Sequence, residues 1–575
     1  MRKLSIFVVV LILALSVSVV LGQATTNNSE SSGWMISSSA TWGSLPPTNF
    51  SFKYGGTVSY MGQSGPVTLN FNPFSPTALA AVGEIYEPLF HSYTNPITPV
   101  LGVNYKWEDN NLKLIVKTRS NVEWSDGVPF TAKDVAFTFN LLKKYPVLDL
   151  NGIWSPTTDL QSVEASGTNL VIFTFSAPNV PFFPILVEQT IVPEHIWSKI
   201  DDPQTWTNPN PVGTGPFLFS TFDAANGITT LVRNPNYWLK GRPYIDKFVE
   251  VAITGSQTPA LLKMLKGDLT AALMVIPNVY DEWVNKNPLT NKFIEPINGY
   301  EVLLFNTTKY PFSIPEFRKA LALAINKSLC KQGAYGSARD VASVLAIPPS
   351  QQEWIDPTLT SLASSLNVYD PTRAQEMLAS IGFKKNAQGQ LCDPDGTPLP
   401  SYTLICVGGW ADFTTMSNII SSELKTLGIN ATVSLETQAS WYLALEKGLF
   451  DMSTCWDNGF GSTPYYMFDE MLNPQLSAPI GQVAVTNFTR YSNPIVTAAL
   501  KIYQTSSDLR LQKQAIYTIE RIFLDDMPYI PLTTSNSSYE FLEKDFIGWP
   551  SDSNPYGGWY EDDIMPMASL SVHLK

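Results

Sequence analysis

Histidine, the commonest general base and metal ligand, is scarce here: His91, His195 and His573 are the only three. None stands in an H-E-x-x-H pair, and the chain has neither a G-x-S-x-G elbow nor a phosphate-cradling P-loop. Zinc hydrolysis, serine acyl transfer and nucleotide hydrolysis therefore lack their usual carriers. A glycoside hydrolase needs only two placed carboxylates, and 50 Asp and Glu residues keep that class as a remote rival on count alone. Cys330, Cys392, Cys406 and Cys455 lack the close C-x-x-C pairs of a zinc site. No metal and no cofactor is expected. In an oxidising compartment Cys406 with Cys455 is the preferred disulfide, with four buried free thiols as the alternative.

The densest concentration of recognition chemistry is Cys455-Trp456-Asp457-Asn458-Gly459-Phe460-Gly461-Ser462-Thr463-Pro464-Tyr465-Tyr466. Trp456, Phe460, Tyr465 and Tyr466 supply flat rings, and Trp410 follows a neighbouring strand end. Such rings suit pyranose faces, whose axial C–H groups are apolar, while Asp457 and Asn458 can take hydroxyls. Core packing is the alternative use for the same rings.

The elements that place this loop are legible. A strand at Tyr402–Val407 leads to a helix with Met416, Ile419, Ile420 and Leu427 on one face, closed by Gly428. A second strand (Ala431–Leu435), a short helix around Trp441–Leu445 and a third strand (Phe450–Trp456) complete a β-α-β-α-β run. That alternation predicts a parallel sheet covered by helices. Ligands collect outside the carboxyl ends of such strands, which points to Gly408–Asp412 and Trp456–Tyr466. Elsewhere Leu112–Thr118 alternate as a half-buried strand does, and Asp126-Gly127 makes a turn. Thr131 with Asp134 forms a capping box. Asp370-Pro371 opens a helix carrying Ala374, Met377, Leu378 and Ile381, which Gly382 ends. No internal repeat of 20–50 residues is present.

Composition sets the surroundings. Only 15% of the 575 residues are charged, against about 25% in soluble domains generally, which suits an extracellular surface where few carboxylates need protonating. The net charge of -13 and the absence of a basic stripe exclude nucleic acid. Arg2 and Lys3 followed by the apolar Leu4–Leu21 predict an export signal over residues 1–22, cleaved or retained as a membrane anchor. Residues 23–53, rich in Ser, Thr and Asn, read as a spacer, and the fold begins at Gly55-Gly56 before the strand-like Thr57–Tyr60. Asn27, Asn49, Asn306, Asn326, Asn430, Asn487 and Asn536 head N-x-[ST] triplets.

Several stretches resemble the large solute-binding proteins of ABC importers, the group of oligopeptide- and dipeptide-binding proteins. Val122-Glu123-Trp124-Ser125-Asp126-Gly127-Val128-Pro129-Phe130-Thr131-Ala132-Lys133-Asp134-Val135 is similar to the family signature. Pro211–Phe217, Arg233–Trp238, Leu304–Thr307 with Phe317–Leu321, and Asp370–Phe383 resemble further hallmarks. Most of these are structural: Trp124 and Asp126 hold a turn, and His195 in Pro193–Trp197 resembles a structural position. The resemblance implies an α/β, two-lobed periplasmic-binding-protein-like fold of the large type II class, with an extra subdomain inserted in lobe I. The expected divisions are lobe I at 54–100 and 208–304, the inserted subdomain at 101–207, lobe II at 305–530, and a return to lobe I at 531–575. It also implies an exported, non-enzymatic monomer at the extracytoplasmic face of the plasma membrane. That monomer closes on a small solute and serves permease transmembrane subunits driven by cytoplasmic ATPases.

Peptide binders of this family present an Asp to the ligand's α-amino group in a loop resembling G-W-x-A-D-Y. Here Gly459 stands where that Asp is expected, although Asp457 lies two positions earlier. The loop is closer to that of the oligosaccharide-binding (cellobiose-type) branch. A cello-, manno- or malto-type oligosaccharide is the first expectation for the solute, and an oligopeptide the alternative. Trp154 and Phe74 are expected as contributors from the opposite lobe.

Overall fold

The computed structural model describes residues 52–64, 67–92, 97–155, 158–253, 258–274, 276, 278–336, 339–457, 461, 463–536, 538–551, 556 and 561–575, with the short strand Met35–Ile36. Met1–Met35 form a separate unit, so the expected export segment and most of the spacer lie outside the described residues. Everything below concerns Ile36–Lys575.

Gly55 and Gly56 have φ of +121° and +86°, a region open to glycine at little cost, and they turn the chain into the strand Thr57–Ser64. This strand is central to a seven-stranded sheet and runs parallel to Lys247–Ile253 and Ala271–Leu273. Ile228–Arg233 and Phe217–Asp223 extend one side by antiparallel pairing. Tyr539–Leu542 and Asn291–Ile294 extend the other.

A second, antiparallel sheet contains Gly102–Glu108, Lys113–Thr118, Leu170–Phe175 and Leu160–Ser166. Alternation along it turns Leu114, Val116, Val171 and Phe173 inward, under the helix Ala132–Lys144. The Thr131–Asp134 capping box starts this helix, with the Thr131 amide donating to Asp134 Oδ2 at 2.8 Å. His195 Nε2 lies 2.7 Å from Asp126 Oδ2, so this histidine steadies the Asp126-Gly127 turn.

The third sheet has the order Ala431–Glu436, Tyr402–Val407, Met452–Trp456, Ile297–Phe305, Tyr529–Asn536. Its first three strands are parallel, and the last two join antiparallel. The expected β-α-β-α-β run is present, with helices Ala411–Thr426 and Gln438–Lys447 between the strands. Met416 and Ile420 are buried, and Ile419 packs at the edge. Gly428 follows at φ +84°, where a Cβ would meet the Gly389 carbonyl oxygen at 2.4 Å. Asp370 caps the helix Pro371–Ser380 by accepting from the Arg373 amide.

Two main cores result. One draws on residues from Val58 to Ile294 and again from Tyr539 to Val572; the other runs from Tyr300 to Leu532. A smaller cluster around Trp283 and Met264 flanks the first. The chain passes between the lobes twice, from Ile294 into Ile297 and from Asn536 into Tyr539. This is the two-lobed α/β fold expected from the sequence.

The preferred disulfide does not form: Cys406 and Cys455 are buried free thiols, as are Cys330 and Cys392. The register pairs Ile405 with Ser453, so alternation turns Cys406 and Cys455 to opposite faces of the sheet. Thr454 reaches Ser417 of the helix Ala411–Thr426 at 3.0 Å, whereas Ser453 takes the indole N–H of Trp441 from the other face at 2.9 Å.

Candidate functional site: facing strand ends of the two lobes

Strand directions locate the cleft. Asn291–Ile294 leaves the first lobe at its carboxyl end and points the same way as Thr57–Ser64, Lys247–Ile253 and Ala271–Leu273. All four strands therefore end at the edge where the chain crosses. In the second lobe Ile297–Phe305 starts at the crossing, and Met452–Trp456 runs back antiparallel to it, pairing Trp456 with Glu301. Tyr402–Val407 and Ala431–Glu436 follow that direction. The carboxyl ends of the parallel strands of both lobes thus open onto one interlobe edge, where solute sites collect in such sheets.

On the second lobe this edge is aromatic. The Trp456 ring lies 5.4 Å from Trp410, 5.3 Å from Trp441 and 5.9 Å from Phe413, centroid to centroid. Trp441 is fully buried and donates to Ser453 Oγ, which fixes it as the floor. Trp410 and Trp456 are half-buried, so each keeps part of its ring at the surface. Trp410 also precedes the helix Ala411–Thr426, which sets its direction.

Asp457 turns inward. It is 2% exposed, its amide donates to the Tyr300 carbonyl at 2.9 Å, and Oδ1 accepts from the Tyr300 amide at 2.8 Å. Burial pushes its pKa up to about 7, against the backbone bond from Tyr300. Asn458 and Phe460 lie outside the described residues. Tyr465 is buried and stacked on Tyr503 at 4.3 Å. Tyr466 is half-buried, its ring lying where any side chain at Gly461 would stand. Its hydroxyl donates to the Pro181 carbonyl of the first lobe at 2.8 Å.

The two residues expected from the opposite lobe are engaged elsewhere. Phe74, 2% exposed, packs edge-on against Trp197 at 5.3 Å, so it presents no face to a solute. The Trp154 indole donates to the Phe139 carbonyl at 2.8 Å, and Lys143 Nζ lies 4.1 Å from its ring centroid.

Sequence reasoning missed a polar network beside the aromatic edge. Tyr335 donates to Glu301 and also meets Asp412 Oδ2 at 2.8 Å. Arg339 pairs with Glu301 and lies 3.9 Å above the Tyr335 ring. Thr533 Oγ1 donates to Glu301 Oε2 at 2.9 Å. Burial raises the Glu301 pKa, opposed by Arg339. No motif marks these residues, because a strand, two helices, a loop and the returning strand bring them together. Among the described residues no group of His, Cys, Asp or Glu could hold a metal ion, and no helix is long and apolar enough to cross a membrane.

Two lobes, two crossings and strand ends that face each other across them define the class of periplasmic-type solute receptors. The family model "Bacterial extracellular solute-binding proteins, family 5 Middle" matches residues 96–478, more than half of the chain. The chain belongs to this family, and it is a substrate-binding protein of an ABC importer. It is 24% identical to the peptide transport periplasmic protein SapA of Salmonella typhimurium, over 79% of this chain and 81% of that one. Oligopeptide-binding protein AppA of Bacillus subtilis is also 24% identical, over 76% and 78% of the two chains. The periplasmic oligopeptide-binding protein of an ABC transporter from Thermotoga maritima, 27% identical, superposes with a TM-score of 0.75 over 90% of this chain and 99% of that one. Its mannohexaose-bound structure gives 0.67 over 91% and 100%. These relatives are transporter proteins, not enzymes.

Proposed function

We propose that this receptor captures oligosaccharides of the cello-, manno- or malto-type by closing its lobes, and hands them to the permease. The observation that carries the reading is the contrast at the second-lobe edge. Trp410 and Trp456 are half-buried there, while Asp457, the carboxylate next to Trp456 along the chain, is clipped inward to Tyr300. The other carboxylates at this edge, Glu301 and Asp412, are engaged by Arg339 and Tyr335, so a peptide's ammonium drawn into the cleft would have to displace these partners to replace its lost hydration. Pyranose rings need flat apolar faces, which Trp410 and Trp456 can supply. The mannohexaose complex of the 27% identical Thermotoga protein supports the same solute class. The names of SapA and AppA favour the second reading, an oligopeptide. Residues 1–22 act in this reading as export signal or anchor, and the receptor works as a monomer at the extracytoplasmic face of the plasma membrane.

A thermal-shift screen of residues 54–575 against mannohexaose, cello- and malto-oligosaccharides, and peptides of two to nine residues separates the readings. A ligand that binds only the folded state adds about 2.7 kcal/mol at a hundredfold excess over Kd. A shift with oligosaccharides and none with peptides is expected. The reverse pattern would replace sugar by peptide.

A further inference from the structure

The Glu301–Tyr335–Arg339–Asp412 network stands on the interlobe edge by three separate relations. Glu301 is the cross-strand partner of Trp456, and directly paired residues of antiparallel strands share a face, with Cβ atoms about 5 Å apart. Asp412 lies in the first turn of the helix that Trp410 precedes. Arg339 Nη1 lies 3.4 Å from the carbonyl of Thr534, close to where the strand Tyr529–Asn536 ends at the crossing. The carboxylates of the network are already engaged. Glu301 accepts from Tyr335, Arg339 and Thr533, and Asp412 accepts from Tyr335 and from the Phe413 amide. The guanidinium is only partly engaged. Glu301 pins it at Nη1 and the Tyr335 ring lies 3.9 Å from its carbon, yet the side chain keeps 14% of its surface exposed. Among the described residues nothing accepts from Nε or Nη2, and neither nitrogen is sealed from solvent. Their N–H groups, one edge of a rigid planar fork, are left for a partner from outside.

We propose that Arg339 is the polar anchor of the solute site, its Nε and Nη2 donating to hydroxyl oxygens of the sugar unit that lies against Trp456. The proposal rests on the oligosaccharide reading of the function and adds to it the residue that orients the ring on the aromatic edge. Geometry selects the chemistry of the partner. The open groups are donors, so the partner is an acceptor, and an ammonium is excluded. Glu301 and Asp412 both act on the one guanidinium, so its charge is already matched and leaves little to attract a carboxylate. A pair of neutral acceptors remains, and neighbouring hydroxyl oxygens of a pyranose supply one. Because carboxylate and ring hold the fork before any solute arrives, little side-chain freedom is lost on binding.

Isothermal titration of the folded two-lobed protein with mannohexaose, cellohexaose and hexagalacturonate tests this, alongside melts followed by circular dichroism. Arg339→Lys keeps a charge beside Glu301 and loses the fork. It is expected to weaken binding of the neutral hexasaccharides by about tenfold or more and to leave Tm nearly unchanged. The affinity of the parent is expected to hold steady as salt is raised, because the contact is with a neutral group. If Arg339→Lys binds hexasaccharide as the parent does, or loses affinity only together with a fall in Tm, Arg339 is a structural pin; the anchor is then overturned and the oligosaccharide reading stands. If hexagalacturonate binds more tightly than the neutral hexasaccharides and loses that advantage in Arg339→Lys, the group recognised is a carboxylate and the hydroxyl assignment falls. If the parent binds peptides and no hexasaccharide, the functional reading itself has failed, and the anchor with it.

Discussion

The hydroxyl of Tyr466, in the second lobe, donates a 2.8 Å hydrogen bond to the carbonyl of Pro181 in the first. A residue expected to face the solute instead ties the lobes together. Asn111 makes a similar tie, donating to the Thr505 carbonyl at 2.9 Å and accepting from Ser507 Oγ at 2.9 Å. Beyond the two crossings, these polar bonds join the lobes together with the packing of Val180–Phe182 against the helix Pro494–Thr505, a small set of ties that a hinge can break and remake.

Removing one of these bonds should loosen closure while leaving each lobe intact. Tyr466→Phe keeps the ring against Gly461 and deletes only the donor. About 1 kcal/mol, or roughly fivefold in solute affinity, is expected to be lost, with little change in Tm. Small-angle scattering of the ligand-free protein should show a larger radius of gyration. An unchanged radius and affinity together would deny the bond any part in closure.

At the aromatic edge, Trp456→Ala should abolish measurable oligosaccharide binding, and Trp410→Ala should weaken it by one to two orders of magnitude. Titration calorimetry reads the affinity, and circular dichroism checks that both variants melt cooperatively. Binding that survives both substitutions would remove these rings from the site.

Stability should fall as pH rises from 5 to 8. Burial pushes Glu84, Glu470, Glu520 and Glu540 up to about 8, and Glu250 and Asp457 up to about 7. Each folded-state pKa lies above the unfolded value near 4, so between the two the folded protein binds more protons than the unfolded chain. The stabilisation is whole below about pH 4 and is lost as pH climbs through each folded pKa. A Tm lower at pH 8 than at pH 5 by about 5 °C or more is expected. Asp457→Asn keeps the Tyr300 clip through its carbonyl oxygen and should flatten the upper part of that curve. A Tm that rises with pH over this range would contradict the assignment.

All four cysteines should behave as buried free thiols. Ellman's reagent should count four only after unfolding, and reductant should leave Tm within about 1 °C. Nearly inert behaviour follows for Cys330 and Cys455, whose burial pushes the thiol to about 12 or beyond. A reductant-sensitive melt would reinstate a disulfide that the sheet register forbids.

Local order was written in the sequence wherever one stretch of chain carried its own instruction. The Thr131–Asp134 capping box, the Asp370-Pro371 helix start, the Gly428 stop and the β-α-β-α-β run from Tyr402 to Trp456 all depend on neighbours within a few residues, and all four are present. The strand-end rule also placed Trp410 and Trp456 at the interlobe edge, because parallel strands impose their carboxyl ends on the loops that follow. Side-chain direction was another matter. Whether Asp457 faces solute or Tyr300, whether Tyr466 meets a ligand or Pro181, and whether Phe74 lies in a cleft or against Trp197 are set by partners 123 to 285 residues away. Cys406 and Cys455 looked a plausible pair until the register turned them to opposite faces. The Glu301–Tyr335–Arg339–Asp412 network has no local signature at all. Hydrophobic period and capping chemistry act along the chain and can be read from it, whereas burial and hydrogen bonding are settled only when distant elements meet.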